Sequence, residues 1–177
     1  MASNSDSDPT FGYLHCLEDP VHGVTAGYLI VSRTGRPLEF HCTAPVKPSH
    51  AQRILFGATL RRHLLGECLG GALVSRAKLK PTVLAISDAD LAPMDGDGDR
   101  WLVLLADSQQ RAAGWHPLTG IGGDALAPDG QDDEAVAGCI NRLAESIEPA
   151  EPFDRVAEAI REAQRLGGEG GDARAAA

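Results

Sequence analysis

The sequence lacks the features by which most protein classes are recognised at first reading. Its 177 residues contain no Cys-x-x-Cys pair, which argues against a zinc ribbon or a redox pair. No apolar run reaches the roughly 18 residues that a membrane-spanning helix needs. The N-terminus is polar and acidic, whereas a secretory signal is basic and then apolar. We therefore expect a cytoplasmic protein that does not enter a membrane.

Motifs of catalysis are also absent. There is no Gly-x-Ser-x-Gly elbow, His-Glu-x-x-His site or Walker-type Gly-Lys-Ser/Thr loop. Asp95, Asp97 and Asp99 match only the start of an EF-hand loop, because Arg100 and Ala106 stand where that loop needs Gly and Glu. No motif implies a cofactor, and these absences favour a protein that is not an enzyme.

The cysteines are isolated from one another. Cys16, Cys42, Cys68 and Cys139 each stand alone in an apolar or helical stretch. Free cysteine commonly behaves as a small hydrophobic residue. We expect all four to be reduced, buried and structural.

Charge is unevenly distributed along the chain, whose formal net charge is −9. Counting Lys and Arg against Asp and Glu, residues 1–46 carry −3, residues 47–80 carry +6 and residues 81–177 carry −12. Residues 47–80, here called the basic segment, could bind an anion or could be matched by the acidic C-terminal half. The acidity of the whole chain disfavours a nucleic-acid partner, since it repels polyanions. Only 5% of the residues are aromatic, too few to interleave a stacking platform with these cations.

The N-terminal quarter of the chain has strand patterns. Residues 11–17 are predicted to form one strand, and residues 27–43 a hairpin. Gly35 supplies the positive φ that the short connection needs. Pro37 lacks a backbone N–H and should therefore open the second strand of the hairpin.

Helix and strand signals follow in alternation. Ser49 and Gln52 have the spacing of a capping box, so a helix interrupted near its glycines should begin there. The apolar runs 82–86 and 101–105 are typical of central strands. Residues 111–131 should be irregular because they are rich in Gly and Pro, and two amphipathic helices should end the chain.

This order of elements predicts an α+β fold, with a mainly antiparallel sheet of about five strands and helices packed against it. The topology resembles the profilin-like and longin-like folds over residues 11–147, without a diagnostic motif. We expect one domain over residues 10–166, with disordered residues 1–9 and 167–177. The predicted core contains Ile30, Phe40, Ile54, Leu84, Leu104, Ile140 and Val156.

Two histidines and a glutamate could form a metal site. His15 and His41 lie in predicted strands, and Glu39 shares a strand face with His41 because side chains alternate along a strand. If the first strand pairs with the second strand of the hairpin, the three residues converge as a ligand set for a divalent metal. The alternative is two half-buried histidines bonded to their neighbours, since the spacing matches no established ligand motif.

The leading hypothesis is a small non-catalytic module that binds a protein partner or a second copy of itself. Its surface would be the helical region 49–77, where Gly66, Gly70 and Gly71 permit close approach beside arginines suited to carboxylate partners. These arginines are Arg53, Arg61, Arg62 and Arg76.

Two alternatives remain open. One is a metal-dependent enzyme or metal-binding protein that uses the strand histidines, and the other is anion or nucleic-acid binding by the same arginines with Lys78 and Lys80.

Overall fold

The molecule is organised around a seven-stranded sheet. The computed structural model of the chain describes residues 8–93, 100–105, 113–121 and 125–172. The strands are β1 (Phe11–Asp19), β2 (Gly23–Val31), β3 (Pro37–Cys42), β4 (Val83–Ile86), β5 (Trp101–Leu104), β6 (Trp115–Pro117) and β7 (Leu126–Pro128). They pair in the order β3-β2-β1-β4-β5-β7-β6. β1, β4 and β5 run parallel to one another, and all other pairings are antiparallel.

Helices cover both faces of this sheet. The connection from β3 to β4, here called the crossover, contains α1 (His50–Phe56), a 3-10 turn (Gly57–Thr59), α2 (Leu60–Arg62), a π-helix (His63–Gly71) and α3 (Ala72–Arg76). A 3-10 turn (Ala89–Leu91) follows β4, and α4 (Asp133–Ala144) and α5 (Glu151–Asp172) complete the chain. The crossover packs on one face of the sheet, and α4 with α5 pack on the other. No helix in the described ranges is long and apolar enough to span a membrane.

The prediction of about five mainly antiparallel strands is wrong, although the α+β class fits. The crossover carries the chain from the edge strand β3 back to the middle of the sheet, where β4 joins β1 in parallel. Such a pairing joins distant parts of the sequence, and local patterns do not encode it. β6 and β7 have three residues each and lie in the stretch 111–131, which we expected to be irregular.

Several local predictions are confirmed. β2 and β3 form the antiparallel hairpin, Gly35 has a φ of 75°, and Pro37 opens β3. Ser49 and Gln52 form the capping box that begins α1. β4 and β5 lie inside the sheet, as their unbroken apolar runs indicate. The two helices expected at the end of the chain are α4 and α5.

Side-chain alternation along the central strands builds two apolar layers, because consecutive residues of a strand face opposite sides. One layer, under α4 and α5, includes Phe11, Val83 and Val103. The other, under the crossover, includes Leu14, Leu84 and Leu104. Burial of both sheet faces explains why these strands are apolar throughout.

Two of the seven predicted core residues are not buried. Phe40 is 38% exposed because β3 is an edge strand, and Ile54 is 66% exposed because α1 buries none of its residues. The other five, Ile30, Leu84, Leu104, Ile140 and Val156, are buried. An apolar pattern identifies the face that could be covered, but no described residue covers Phe40 or Ile54 enough to bury it.

The π-helix lies unusually close to the 3-10 turn after β4. A Cβ atom at Gly66 would be 3.0 Å from the carbonyl oxygens of Asp90 and Ala92. At Gly70 it would be 2.8 Å from the carbonyl oxygen of Leu91. A side chain at Gly70 would therefore push the π-helix away from the turn, and one at Gly66 would be tightly packed, so the close approach that we expected for a partner is made within the chain.

Candidate functional site

The basic segment forms an exposed cationic surface on and beside the crossover. Leu65, Leu69 and Leu73 are buried against the sheet, so the polar residues of the π-helix and α3 project away from it. All seven Lys and Arg residues of the segment are exposed, and Glu67 is its only acidic residue. The seven are Lys47, Arg53, Arg61, Arg62, Arg76, Lys78 and Lys80.

Two clefts border this surface. The first cleft has a volume of about 490 Å³, and its cationic lining residues are Lys47, Arg53 and Arg61. The second cleft has a volume of about 660 Å³ and is lined in part by Glu67, Lys80 and Arg100. Glu18 and Asp19 also line the first cleft, so acidic side chains partly balance the cationic ones in both clefts.

Arg61 is held by carboxylates at the ends of two parallel strands. Its guanidinium nitrogens are 2.7 Å from Glu18, 2.8 Å from Asp88 and 3.6 Å from Asp90. Glu18 lies at the end of β1, and Asp88 and Asp90 follow β4, which ends at the same edge of the sheet. The charge of Arg61 is therefore already compensated within the chain. The same carboxylates affect the nearby Cys16: burial raises the pKa of its thiol to about 12, with further contributions from Asp88 and Glu18.

A histidine and a serine meet on the opposite face of these strand ends. Nδ1 of His15 is 2.7 Å from Oγ of Ser87, because β1 and β4 run side by side. Burial lowers the pKa of His15, and Arg161 lowers it further against the opposing effect of Asp154. The imidazole is therefore neutral at neutral pH. Within the described residues its other nitrogen has no hydrogen-bond partner.

The three predicted metal ligands do not converge. β2 lies between β1 and β3, so His15 is two strands away from Glu39 and His41. Oε1 of Glu39 is 2.6 Å from Nε2 of His41, and its carboxylate accepts backbone N–H bonds from Lys78 and Leu79. The bond from Lys78, followed by those from His41 and Leu79, lowers the pKa of Glu39 to about 2. In the part of the chain that the structure describes, no group of three His, Cys, Asp or Glu residues is placed to hold a metal ion.

The remaining arginines of the predicted interaction surface are less constrained than Arg61. Arg62 donates a 3.5 Å hydrogen bond to the carbonyl oxygen of Ala89. Arg53 and Arg76 have no side-chain partner among the described residues. Both can therefore turn towards a ligand without losing an internal contact.

Sequence reasoning did not select Ser87 or Glu18. Ser87 and Asp88 directly follow the apolar run of β4, and polar residues directly after central strands are frequent at functional sites. That rule could have identified Ser87, but the pairing of Ser87 with His15 needs the parallel neighbour of β1. Asp95, Asp97 and Asp99, the partial match to an EF-hand loop, lie outside the described residues.

The cysteines are free, as expected, but they are not buried as a group. Cys42 and Cys68 are exposed, and Cys16 and Cys139 are partly buried. Cys42 lies on the edge strand β3, and Cys68 lies on the outer side of the π-helix. The prediction of four buried structural cysteines is therefore wrong for these two positions.

Comparison with known proteins gives a likeness in fold. The sequence matches no protein-family model and no curated protein. The structure is similar to that of human ENDOV, with a TM-score of 0.54, 12% sequence identity, and coverage of 91% of this chain and 86% of that one. It is also similar to Ciona intestinalis endonuclease V in complex with a 24mer DNA containing an inosine followed by a ribo-adenosine. There the TM-score is 0.53, the identity is 8%, and the coverage is 90% and 87%.

This likeness overturns four predictions. The profilin-like and longin-like resemblance is replaced by a fold with a seven-stranded mixed sheet. The prediction of a module that binds a protein partner or a second copy of itself is contradicted, because a DNA-bound protein has this fold. The prediction that a nucleic-acid partner is disfavoured is contradicted for the same reason. By fold, the chain is similar to endonuclease V proteins over most of its own length and theirs.

Proposed function

We propose that this chain binds nucleic acid through the basic segment. The observation that carries the proposal is the exposure of all seven Lys and Arg residues of the segment. They lie on one side of a fold that a DNA-bound protein shares. Clustered exposed cations are the electrostatic footprint of phosphate binding.

The cations differ in how freely they can meet phosphates. Arg61 is held by three carboxylates, so its contribution to binding should be small. The side chains of Arg53, Arg76 and Lys78 form no ion pair with a carboxylate in the described part of the chain. These three side chains exchange only water for phosphate, and they should therefore carry most of the binding free energy.

The mode of binding should be recognition of the phosphate backbone. Among the exposed large hydrophobic side chains of the described residues, only Phe40 is aromatic, and it lies on β3 outside the basic segment. Without aromatic stacking, contacts are mainly ionic and carry little sequence information. We expect the logarithm of the binding constant to fall by about 3 to 5 per tenfold rise in salt, given about four to six neutralised phosphates.

Fluorescence anisotropy tests the proposal with a labelled DNA duplex, single-stranded DNA and single-stranded RNA of equal length. We expect the double variant Arg53→Glu with Arg76→Glu to weaken binding by at least about tenfold, because two attractive contacts become repulsive. The matched control is Arg36→Glu with Arg142→Glu, which changes net charge equally at exposed positions outside the segment. Circular dichroism verifies that both double variants are folded.

Two results would reject the proposal. One is that the wild-type protein binds none of the three nucleic acids at low salt. The other is an equal loss of binding in both double variants, which would indicate a general charge effect. A preference among the three nucleic acids would identify the substrate class without affecting the location of the surface.

We also propose that the protein acts in the cytoplasm. The support is that all four cysteines are free, which suits a reducing compartment. Fluorescence microscopy of the tagged full chain tests the location, and accumulation in an oxidising compartment would contradict it.

A further inference from the structure

A thiol, an imidazole and a carboxylate meet on the outer side of the π-helix. Sγ of Cys68 is 3.5 Å from Nε2 of His63. Nδ1 of His63 is 2.8 Å from Oε2 of Glu67. A nucleophile bonded to a base that a third group orients is the arrangement of activated nucleophiles in enzymes.

The π-helix brings these three residues together. Its hydrogen bonds join residues five apart, so His63 is adjacent to both Glu67 and Cys68 along the helix. Phe56 stacks on the imidazole with a ring separation of 4.4 Å and an angle of 17°. The ring is thereby fixed from one side by Phe56 and at Nδ1 by Glu67.

The hydrogen bonds define the roles of the three groups. Because a carboxylate only accepts, Nδ1 of His63 must carry the proton that it donates to Glu67. Nε2 then has a free electron pair and accepts the S–H of Cys68. His63 is placed to act as the base for Cys68, and Glu67 is a positioning residue.

The thiol is accessible to a reaction partner. Cys68 is exposed, and the side chains of His63 and Glu67 are 31% and 44% exposed. Glu67 also lines the second cleft, together with Lys80 and Arg100. A small molecule can therefore approach Cys68 from solvent beside a cleft with cationic walls.

We propose that Cys68 is a nucleophilic thiol that forms mixed disulfides with small disulfide compounds. The proton of Cys68 passes to Nε2 of His63, and the sulfur attacks one sulfur of the disulfide. A new S–S bond forms, the old S–S bond breaks, and its electron pair leaves with the second sulfur. That sulfur takes the proton from His63, so a thiol and a disulfide yield a different thiol and disulfide.

A disulfide suits this site better than an acyl group does. Attack on a carbonyl needs N–H donors for the oxyanion that develops. The backbone N–H groups around Cys68 are engaged in the hydrogen bonds of the π-helix. Exchange with a disulfide needs only an activated thiol and an accessible partner.

The chain contains its own matched control for this proposal. Cys42 is also exposed, but it has no hydrogen bond to an imidazole in the part of the chain that the structure describes. The full-length protein is treated with dithiobis-nitrobenzoate, and peptide mass spectrometry follows adduct formation at each cysteine. At neutral pH we expect Cys68 to react at least about tenfold faster than Cys42.

Variants separate activation from exposure. His63→Ala should reduce the rate at Cys68 to that at Cys42, and Glu67→Ala should reduce it partly, whereas Glu67→Gln, which keeps an oxygen acceptor, should restore much of it. The rate ratio of Cys68 to Cys42 should fall as the pH rises towards about 9, where an ordinary thiol ionises unaided. Equal rates at Cys68 and Cys42 in the wild-type protein, or an unchanged rate in a folded His63→Ala variant, would overturn the proposal.

Discussion

The segments that cover the two faces of the sheet have net charges of opposite sign. The basic segment has a net charge of +6, and residues 133–172, which contain α4 and α5, have a net charge of −6. The sheet and its two apolar layers hold these charges apart, and at physiological salt charges further apart than about 8 Å are largely screened from each other. If the chain binds nucleic acid as proposed, the face of the basic segment is therefore the one that the polyanion should approach. The net charge of −9 conceals this difference between the two faces.

The two faces also differ in how their helices are packed. On the acidic face, α4 and α5 bury branched side chains such as Ile140, Val156 and Ile160. On the basic face, the π-helix approaches backbone atoms at Gly66 and Gly70. We therefore expect the acidic face to accept added volume on its helices and the basic face to resist it.

The largest expected effect tests whether both apolar layers stabilise the fold. Leu104 lies in the layer under the crossover and Ile140 in the layer under α4, and both are buried. Leu104→Ala and Ile140→Ala should each lower the free energy of unfolding by about 2 to 5 kcal/mol, measured by urea denaturation. Ile54→Ala, at a site that is 66% exposed, should change it by less than about 0.5 kcal/mol. A negligible loss at Leu104 or Ile140 would mean that the corresponding layer is not a core.

One glycine on each face of the sheet tests the difference in helix packing. A methyl group at Gly70 would be 2.8 Å from the Leu91 carbonyl oxygen, whereas at Gly138 in α4 it would meet no atom within 4 Å. Gly70→Ala should therefore lower the free energy of unfolding by about 1 to 3 kcal/mol. Gly138→Ala should raise it by about 0.5 to 1 kcal/mol, because alanine restricts the unfolded chain. Equal effects of the two substitutions would show that the close approach of the π-helix does not matter.

The smallest expected effect concerns pH and the acidic face. His116 on β6 is 2.7 Å from Asp133 and 3.1 Å from Asp129. The bond to Asp133 raises the pKa of His116 above its ordinary value, and the bond to Asp129 adds to the rise. Because the folded-state pKa is higher, this contribution to stability is complete below about pH 6.5 and is lost as the pH rises through the folded-state pKa.

The pH effect is measured by denaturant titrations of the wild-type protein and of His116→Gln. The difference in stability between them should be larger at about pH 6 than at about pH 8.5. Glu39, which lies beside the basic segment, has a lowered pKa where that of His116 is raised. Because this pKa is about 2, the contribution of Glu39 to stability changes only at acidic pH. Glu39→Gln should therefore alter the pH dependence of stability only below about pH 4.5. A pH-independent difference for His116→Gln would contradict the predicted linkage.

Much of the local structure could be predicted from the sequence because its causes are local. Gly35 and Pro37 define the hairpin, and the side chains of Ser49 and Gln52 bond backbone groups within one turn. The sheet order depends on contacts between distant segments, such as the parallel pairing of β1 with β4. No residue pattern within either strand specifies that neighbour.

The candidate sites were harder to predict for the same reason. His15 and Ser87 are 72 residues apart, and their contact requires the parallel register of β1 and β4. His15, Glu39 and His41 share suitable chemistry, but β2 separates His15 from the other two. The grouping of His63, Glu67 and Cys68 is local, and it was missed because an ordinary helix places residues three or four apart together, whereas a π-helix also joins residues five apart.

The pleat at the end of β4 has a consequence for insertions and deletions. Ser87 and Asp88 are neighbours in the chain, yet Ser87 meets His15 on one face and Asp88 meets Arg61 on the other. A substitution at either position leaves the other in place. Loss of one residue from β4 would place Asp88 opposite His15 and Ala89, which has no polar side chain, opposite Arg61. The length of this strand therefore controls both contacts at once, whereas a substitution at either residue alters only one of them.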